Sequence, residues 1–493
     1  MADGYKGRRS RARCRTIVSL SILGCLGLAR GVVAQQVDAG TASPGSPQTA
    51  AAPAAAPSSA AAAPQAIAPP PAQPPSRSEP PLPNRLNEVL PQWLRVRGEF
   101  RDRMEGPTSI GFTENRDDLY WQSRFRFDIS AKASPILAFQ MQLQDARAQN
   151  KDVGTTGPPF RDVFDLRQGY ADIGDTQKGL ITVRAGRQEL VFGEQRLVGH
   201  LNWVNAARSF DGVRATLKTK PFRVDVFGSS VVRIQDGEFD KSGAGNRFFG
   251  AYGSSTTLIP KSTVEPYFFW KGDENLKGEH GDSGNLKLAT IGARWVGKLP
   301  AAFDYGTEMA MQTGSLASDS VSAWAGHWIL GNTLGGRWKV RVAEEYNFAS
   351  GDDNPTDGRR HTFDQLYPTG HDKIGLSDQI GWRNIHDVRS IVEFTPHKGW
   401  PASASYHSWW LADTHDALYA ANGAATFRVP SGVVGSHVGQ ELDLQVTKAL
   451  VPQVQLAAGL AKVFPSDFLK QVSPGAKYTL PYVMVTYVFL AEK

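Results

Sequence analysis

The chain has 493 residues, a formal net charge of +6 and two cysteines, Cys14 and Cys25. Residues 1–34 hold seven of the 54 basic and one of the 48 acidic residues, so 47 of each remain in the rest of the chain. The net charge therefore gives no indication of nucleic-acid binding. A chain cleaved after residue 34 could form neither disulfides nor cysteine–metal sites.

The first 34 residues predict a secretory signal peptide. Six basic residues between Lys6 and Arg15 precede an apolar stretch over 16–29 and a small-residue cleavage site that ends at Ala34. The apolar stretch is shorter than the roughly 20 residues that a membrane-spanning helix needs. Cleavage before Cys25, as in a lipoprotein, is the less favoured alternative because the apolar run continues over 26–28.

Residues 35–91 predict a disordered Ala/Pro-rich linker. The stretch consists mainly of Ala, Pro, Ser and Gln and has almost no large apolar side chains. Such a segment cannot bury enough apolar surface to offset the entropy that folding would remove. We interpret it as a plain spacer, with a docking segment for a periplasmic scaffold protein as the alternative.

The body of the chain, 92–493, begins with a segment of strict period-two alternation. Over 93–104, apolar residues and glycine occupy one set of alternate positions, and charged residues occupy the other, from Arg95 and Arg97 to Arg103. On a helix these arginines would point in all directions, whereas on a strand they form one row. The pattern predicts a β-strand with one apolar and one charged face.

The same alternation recurs at 119–131, 139–144, 337–349 and 438–446. Short turns, such as 174–179, alternate with long polar segments. This alternation of short and long connections is typical of a transmembrane β-barrel with short periplasmic turns and long outer loops. We expect the longest of these segments, 350–383, to act as a lid or as a wall of the vestibule, because loops over about 15 residues are usually functional or mobile.

The end of the chain supports the same fold class. Val483, Val485, Tyr487 and Phe489 alternate toward an aromatic residue near the C-terminus. At about 10 residues per membrane strand plus turns and loops, roughly 16 to 18 strands fit. We predict an all-β fold, a transmembrane antiparallel β-barrel of about 18 strands whose polar faces line an aqueous lumen. A soluble sandwich or propeller is the less favoured alternative.

A charged segment between two predicted strands is the focus of the sequence. Arg187, Glu189, Glu194 and Arg196 alternate in sign among glycines and apolar residues. Four such side chains can be accommodated if they share an enclosed wet space. Arg187 is either a pore residue or the partner of Glu189 or Glu194 in a structural ion pair, and the sequence leaves both open.

Several motifs, taken together and in order, resemble the alginate export family of outer-membrane channels. They are Gly186 to Leu190 (Gly-Arg-Gln-Glu-Leu), Trp203 to Asn205, Ser209 to Arg214, Phe363 to His371, Gly375 to Asp378 and Gly439 to Leu444. The resemblance covers about 94–489. It implies an 18-stranded barrel in the outer membrane of a Gram-negative-type cell, surrounded by outer-membrane lipid. An arginine-rich constriction would pass an anionic uronic-acid polymer outward.

The resemblance also implies which residues line the pathway. The candidate pathway residues are Arg95, Arg97, Arg124, Arg126, Arg187, Arg214 and Arg341. The candidate acidic partners are Glu189, Glu194, Asp211, Glu441 and Asp443. No cofactor is expected for such a channel.

Other chemistry is less well supported by the sequence. Gly281 to Gly284 (Gly-Asp-Ser-Gly) is similar to a serine-protease motif, but Asn285 breaks it, and these residues are ordinary in turns. No H-E-x-x-H zinc motif is present. Asp352, Asp353 and Asp357 could supply oxygen ligands to Ca²⁺, although a solvated turn is the favoured interpretation.

Two alternative functions remain at this point. A porin for small anions would use the same arginine rows in a narrower lumen. A barrel enzyme that modifies lipid would need a Ser/His/Asp group on one rim. Our leading interpretation is a channel for an alginate-like polyuronate and not an enzyme.

Overall fold

The computed structural model describes residues 85–433 and 435–489. The predicted signal peptide and all but the last seven residues of the predicted linker lie outside this range. Two short helices are α1 Leu86–Val89 and α2 Asp467–Val472, with a 3₁₀ turn at Ile110–Phe112. The strands are β1 Leu94–Glu105, β2 Tyr120–Ser134, β3 Leu137–Gln149, β4 Asp162–Ile173, β5 Ile181–Gln188, β6 Phe210–Lys218, β7 Arg223–Arg233, β8 Lys241–Ser242, β9 Arg247–Ser254, β10 Ser262–Lys277, β11 Ser283–Lys298, β12 Phe303–Leu316, β13 Asp319–Thr333, β14 Arg341–Ala349, β15 Arg359–Arg360, β16 Ile385–His397, β17 Trp400–Leu411, β18 Leu418–Tyr419, β19 Ala425–Phe427, β20 His437–Val451, β21 Val454–Pro465 and β22 Thr479–Phe489.

Eighteen of these strands form a closed antiparallel barrel, as predicted. Each barrel strand pairs with its neighbours along the chain, and β1 pairs with β22 to close the sheet, with Gly98 opposite Phe489. The two-residue strands β8 and β15 pair with β7 and β13, and β18 and β19 form a separate hairpin. Closure removes the free sheet edges.

The two faces of the wall follow the alternation of the sequence. On β1, Phe100 is 41% exposed and points outward, whereas Arg101 is 1% exposed and points inward. Further along β1, Met104 likewise points outward and Arg103 points inward. Successive side chains of a strand point to opposite faces, so a period-two sequence gives an apolar outer surface and a charged lumen.

The two ends of the barrel differ in the length of their connections. At the end of the barrel where β1 begins and β22 ends, two-residue turns join successive strands at 135–136, 398–399 and 452–453. Gly399 adopts a φ of 75° in one of them, a conformation that glycine reaches without steric cost. In transmembrane barrels the short turns face the periplasm, so the longer connections lie at the outer end.

Two of the long connections fold into the lumen. They are 189–209, between β5 and β6, and 350–384, between β14 and β16, and we call them the lumen loops. Leu190, Phe363 and Ile380 from these loops are fully buried in the largest apolar cluster of the described residues. The barrel is therefore filled at this level by its own loops.

The described residues include the last seven of the predicted linker, 85–91. Helix α1 lies within the segment predicted as a disordered linker, 35–91. The side chain of Asn87 accepts from the N–H of Val96 at 2.9 Å and donates to its C=O at 2.7 Å, which fixes α1 to the start of β1. The domain boundary at residue 92 stays a prediction. Among the described residues, each helix is too short to cross a membrane.

Candidate functional site

Five arginines share the lumen face of the first strands, and we call them the basic wall. They are Arg101 and Arg103 on β1, Arg124 and Arg126 on β2, and Arg167 on β4, and none is more than 4% exposed. Arg101 is directly opposite Arg124 in the β1–β2 register. Residues two apart on a strand, and residues opposite each other on neighbouring strands, share one face. The alternation therefore concentrates the guanidinium groups in one patch.

A short stretch of the first lumen loop lies directly against this wall. The carbonyl of Asn202 accepts from Nη1 of Arg101 at 2.7 Å and from Nη1 of Arg124 at 2.8 Å. The carbonyl of Trp203 accepts from Nη2 of Arg101 and from Nη1 of Arg103, both at 2.8 Å. These acceptors are neutral, so they satisfy the guanidinium donors without cancelling their charge.

The indole of Trp203 completes the contact between loop and wall. The guanidinium carbon of Arg103 lies 3.5 Å from the centroid of this ring, as in a cation–π pair. The ring of His371, from the second lumen loop, stacks on the same indole at 4.2 Å between centroids. Both lumen loops thus meet the basic wall at Trp203.

Within the described part of the chain, three carboxylates contact the basic wall directly. Glu99 pairs with Arg124 and Glu105 pairs with Arg103, each at 2.6 Å, and Glu189 pairs with Arg167. Five guanidinium groups therefore face three carboxylates. The patch keeps a local excess of two positive charges.

Two glutamates of the first lumen loop are held ionised by this environment. Burial opposes the ionisation of Glu189, but the charges of Arg167 and His200 together outweigh it and lower its pKa to about 2. For Glu194, burial is again opposed by nearby cations, mainly Arg294 and Arg196, and its pKa also falls to about 2. Both side chains are anionic at neutral pH.

Across the lumen, five carboxylates form a second patch, which we call the acidic wall. Its members are Glu308 on β12, Glu345 on β14, Asp387 on β16, and Glu441 and Asp443 on β20, and all are buried. The alternation of these strands points each of them inward, beside outward neighbours such as Tyr346 and Leu442. The lumen therefore has a basic and an acidic side.

The acidic wall also binds the lumen loops. Nη2 of Arg196, from the first loop, lies 2.7 Å from Oε1 of Glu345. In the second loop, the N–H of Ser377 donates to Oε1 of Glu441 at 2.9 Å. The first loop therefore reaches from the basic wall at Asn202 to the acidic wall at Arg196.

The two lumen loops pair with each other through their backbones. The N–H of Tyr367 donates to the carbonyl of Leu197 at 2.8 Å, and the N–H of Gly199 donates to the carbonyl of Tyr367 at 2.9 Å. A Cβ at Gly199 would lie 2.3 Å from Oγ1 of Thr369, so this close approach requires glycine. The paired loops form one connected layer inside the barrel.

The structure separates the predicted arginines of the first two strands. Arg124 and Arg126 belong to the basic wall, where Nε of Arg126 donates to Oε1 of Gln144 at 2.9 Å. Arg95 lies at the periplasmic end of β1 and donates to the carbonyl of Pro91 at 2.8 Å. Arg97 is exposed and lies opposite Asp128 in the register.

Arg187 and Asp211 pair with each other on the outward side of the wall. Nε and Nη2 of Arg187 lie 2.8 and 3.1 Å from the two carboxylate oxygens of Asp211. Asp211 is two residues from Val213, which is 50% exposed and points outward. The structure therefore favours the ion-pair interpretation of Arg187, but the proposed partners Glu189 and Glu194 are corrected to Asp211.

The last two predicted arginines are lumen-facing and lie toward the periplasmic end. Nε of Arg214 is 3.9 Å from Oδ1 of Asp225. Arg341 contacts both oxygens of Asp304 at 2.6 and 2.9 Å and Oε2 of Glu393 at 2.7 Å. The carboxylates of Asp304 and Glu393 therefore more than neutralise the positive charge of Arg341.

The predicted acidic partners divide into two groups. Glu189, Glu194 and Asp211 each contact an arginine, and Glu194 lies 2.5 Å from Nη2 of Arg294. Glu441 and Asp443 were predicted as arginine partners too, and here the structure differs. They accept backbone N–H groups of the second lumen loop, because that loop, and not an arginine, lies against β20.

The weak Ca²⁺ candidate is only partly assembled. Asp352 and Asp353 come together with His361, whose Nδ1 is 3.2 Å from Oδ1 of Asp353. Asp357 instead accepts the N–H of Arg359 at 2.9 Å, as in a turn. The predicted set of three aspartates is therefore corrected to two aspartates and a histidine.

Sequence reasoning missed three members of the basic wall. Arg101 and Arg103 stand in the same alternating row as Arg95 and Arg97, so the row itself could have indicated them. Arg167 could not be assigned to a face because the register of β4 shifts beside it. A β-bulge breaks the period of two on which such assignments depend.

Comparisons with solved structures give barrels of the same fold. OccAB2 of Acinetobacter baumannii aligns with a TM-score of 0.55 at 10% identity, over 80% of this chain and 98% of that one. OccK3 (OpdO) of Pseudomonas aeruginosa gives a TM-score of 0.55 at 12% identity, over 82% and 97%. OccK11 (OpdR) of the same organism gives 0.53 at 13%, over 80% and 96%. A comparison with curated proteins gives no significant match.

The family comparison covers most of the described chain. The model of a family described as alginate export matches residues 92–482, which include every barrel strand except the end of β22. The match, the closed barrel and the aligned structures agree that the protein is an outer-membrane channel. The chain belongs to the alginate export family.

Proposed function

We propose that the channel passes an anionic polysaccharide of the alginate-like, polyuronate type along the basic wall. The observation that carries this proposal is the binding of the arginine donors by neutral backbone carbonyls at Asn202 and Trp203. The carbonyls bind guanidinium donors of a wall whose charge is only partly cancelled by Glu99, Glu105 and Glu189, and such a wall is suited to exchange one acceptor for another.

A uronate carboxylate is the better acceptor for such a wall. Hydrogen bonds to an ionised carboxylate are roughly twice as strong as those between neutral groups. The planar guanidinium also matches a carboxylate with two parallel bonds. Carboxylates of a passing polymer could therefore replace the carbonyls at Arg101 and Arg124, and the loop stretch around Asn202 would be displaced.

Placement of charge, and not net charge, would provide the selectivity. A low-dielectric wall around a narrow lumen strengthens the field of fixed charges. The excess of two positive charges in the basic wall then attracts polyanions even though the chain after residue 34 is formally neutral. Several weak contacts in a row favour passage, because a polymer must leave each site as well as enter it.

A porin for small anions is the second candidate, and the paired lumen loops favour it. The layer formed by 189–209 and 350–384 leaves less room than an open barrel of eighteen strands. The arginine patch would serve either substrate. Size of the permeant separates the two candidates, because a polymer requires the layer to move aside and a small anion does not.

A lipid-modifying enzyme is the third possibility raised by the sequence. It requires a histidine with a serine beside one ring nitrogen and a carboxylate beside the other. His437 has serine hydroxyls beside both nitrogens, with Oγ of Ser408 3.2 Å from Nε2 and Oγ of Ser466 3.0 Å from Nδ1. The buried His407 has Nδ1 at 2.9 Å from Asp387 and Nε2 at 3.5 Å from Asp443, so carboxylates face both nitrogens. This geometry favours a structural role for His407 over that of a general base.

The test is charge reversal in the basic wall. The double variant Arg124→Glu and Arg126→Glu is incorporated into planar bilayers, and its reversal potential in a KCl gradient and its block by polyuronate are measured. We expect cation selectivity and loss of block. The control reverses two outward-facing rim arginines, Arg147 and Arg247, whose side chains are 54% and 65% exposed. It carries the same change in net charge and should behave as wild type.

Folding of each variant is checked by heat-modifiable mobility on a semi-native gel. A milder variant, Arg124→Gln with Arg126→Gln, replaces the double reversal if the latter does not fold, and it should reduce anion selectivity without inverting it. A folded variant that stays as anion-selective as wild type would contradict the proposal. The porin would be favoured if the folded Arg124/Arg126 variant loses small-anion flux and polyuronate has no effect on the current of the wild-type protein.

A further inference from the structure

Three aspartates from distant parts of the chain meet at the outer end of β4. They are Asp162 and Asp165 on that strand and Asp240 in the connection between β7 and β9. One carboxylate oxygen from each lies within 4.8 Å of the other two. The N–H of Asp240 donates to Oδ2 of Asp165 at 2.6 Å, so the fold holds the group together across 75 positions of sequence.

Two of these carboxylates have an oxygen without a hydrogen-bond donor in the described part of the chain. Asp162 and Asp165 are 2% and 1% exposed, and Oδ1 of each is buried and unpartnered. Their other oxygens are satisfied, in Asp162 by Nε2 of Gln144 at 3.2 Å. Buried polar atoms nearly always have a partner, so each exception needs an explanation such as a bound ion.

The positive charge nearby does not balance the three carboxylates. Nη1 of Arg187 is 3.8 Å from Oδ1 of Asp165, beyond hydrogen-bond distance, and this arginine already pairs with Asp211. Repulsion among the three groups is therefore only partly relieved by the protein itself.

We propose that Asp162, Asp165 and Asp240 form a site for a divalent cation, with Ca²⁺ as the preferred ion. An all-oxygen set of carboxylates suits a hard cation. Two oxygens bound to one Ca²⁺ at about 2.4 Å can be at most about 4.8 Å apart, whereas Mg²⁺ at about 2.1 Å demands a tighter and more regular octahedron. Carboxylate oxygens that lie within 4.8 Å of one another can therefore bind the larger ion without the regular octahedron that Mg²⁺ demands.

The bound ion would fasten an outer segment to the barrel wall. Asp240 belongs to the connection 234–246, and its carbonyl accepts from Nη2 of Arg187 at 3.0 Å. The site also reaches the basic wall, because Gln144 contacts Asp162 through Nε2 and Arg126 through Oε1. Calcium would therefore stabilise the rim next to the arginines without entering the pathway.

The other acidic group of the outer end does not share these features. Asp353 is already paired with the imidazole of His361, and Oδ1 of Asp352 accepts the N–H of the same residue at 3.3 Å. Neither aspartate has a buried, unpartnered oxygen. The unsatisfied oxygens of Asp162 and Asp165 distinguish the proposed site from the group of Asp352 and Asp353.

The experiment titrates Ca²⁺ into the full-length protein in detergent after treatment with a chelator. Calorimetry should show one Ca²⁺ per chain, and the unfolding temperature should rise with Ca²⁺. Asp162→Asn should weaken binding by at least roughly tenfold, a loss of about 1.4 kcal/mol. Without Ca²⁺ the same variant should unfold at a higher temperature than wild type, because one of three repelling charges is removed.

Asp236→Asn is the matched control. Asp236 lies in the same connection but pairs with Arg161 at 3.3 Å, so its loss should leave the Ca²⁺ titration unchanged. Absence of binding in wild type up to about 10 mM Ca²⁺, above the weakest extracellular sites, would overturn the proposal. Unchanged binding in both Asp162→Asn and Asp240→Asn would overturn it as well. Mg²⁺ that binds as tightly as Ca²⁺ would overturn the preference for calcium.

Discussion

The basic wall and the acidic wall bury charged side chains on one continuous barrel surface, yet they hold the lumen loops in different ways. At the basic wall, arginines donate to the neutral carbonyls of Asn202 and Trp203. At the acidic wall, Glu345 binds the guanidinium of Arg196, which is itself buried. The carbonyl contacts leave arginine charge uncompensated, whereas the pair of Arg196 with Glu345 cancels charge, as does the pair of the loop residue Glu189 with Arg167 of the basic wall.

This difference separates a replaceable contact from a permanent one. Removing one member of a buried ion pair leaves the other charge unpaired in a poorly hydrated place, at a cost of about 3–5 kcal/mol. Exchanging a carbonyl for a ligand carboxylate keeps the same guanidinium donors bonded. We infer that the acidic wall anchors the first lumen loop and that the basic wall is where this loop can give way.

The strongest test of the comparison breaks the acidic anchor. Glu345→Gln removes the charge that faces Arg196, so we expect the free energy of unfolding to fall by about 3–5 kcal/mol. Denaturant titration of the refolded protein in detergent measures this change. The control is Glu344→Gln at the next position, which is exposed and points outward. A loss below about 1 kcal/mol for Glu345→Gln would contradict the assigned role.

A smaller effect is expected when the loop is loosened beside the basic wall. The buried Asn205 donates its amide hydrogens to the carbonyls of Ser123 and Arg147 at 3.0 and 2.8 Å. Asn205→Ala should cost about 1–3 kcal/mol and increase single-channel conductance, because the loop is released from the strands. Asn285→Ala, at an exposed position, is the control. Lower stability with unchanged conductance would show that the loop does not limit flow.

Acid should weaken two further ion pairs of the first lumen loop, those of Glu189 with Arg167 and of Glu194 with Arg294. The pKa of Glu189 and of Glu194 falls to about 2 in the folded protein, below the value near 4.5 of a free glutamate. Their stabilisation is therefore present above about pH 4.5 and is lost as the pH falls toward 2. Conductance should stay constant from about pH 7 to 5 and rise below about 4. The double variant Glu189→Gln with Glu194→Gln should lose this transition; an identical acid response would point to other groups.

The smallest effect is expected at Arg341, outside both walls. Its contacts with Asp304 and Glu393 are partly exposed, so Arg341→Gln should change stability by at most about 1 kcal/mol. Reversal potentials should stay close to wild type. If the reversal potential of Arg341→Gln shifts as much as that of the Arg124→Glu, Arg126→Glu variant, the selective region lies nearer the periplasmic end of the lumen than we infer.

The sequence predicted the barrel and the side of the wall on which most charged residues lie. Along β1, the alternation of Phe100 and Arg101 assigns every side chain to a face, because a strand repeats every two residues. The family motifs then predicted an arginine-lined pathway. Arg124 and Arg126 were assigned to the lumen on this basis, and the structure places them in the basic wall.

The contents of the lumen were decided by the tertiary structure alone. Loops have no period, and the contacts that position them join residues far apart: Arg101 and Asn202 are separated by 101 positions, and Arg196 and Glu345 by 149. No local pattern encodes such pairings. The outward face of Arg187 and the meeting of Asp162 with Asp240 have the same origin, since each depends on which distant segment the closed barrel brings alongside.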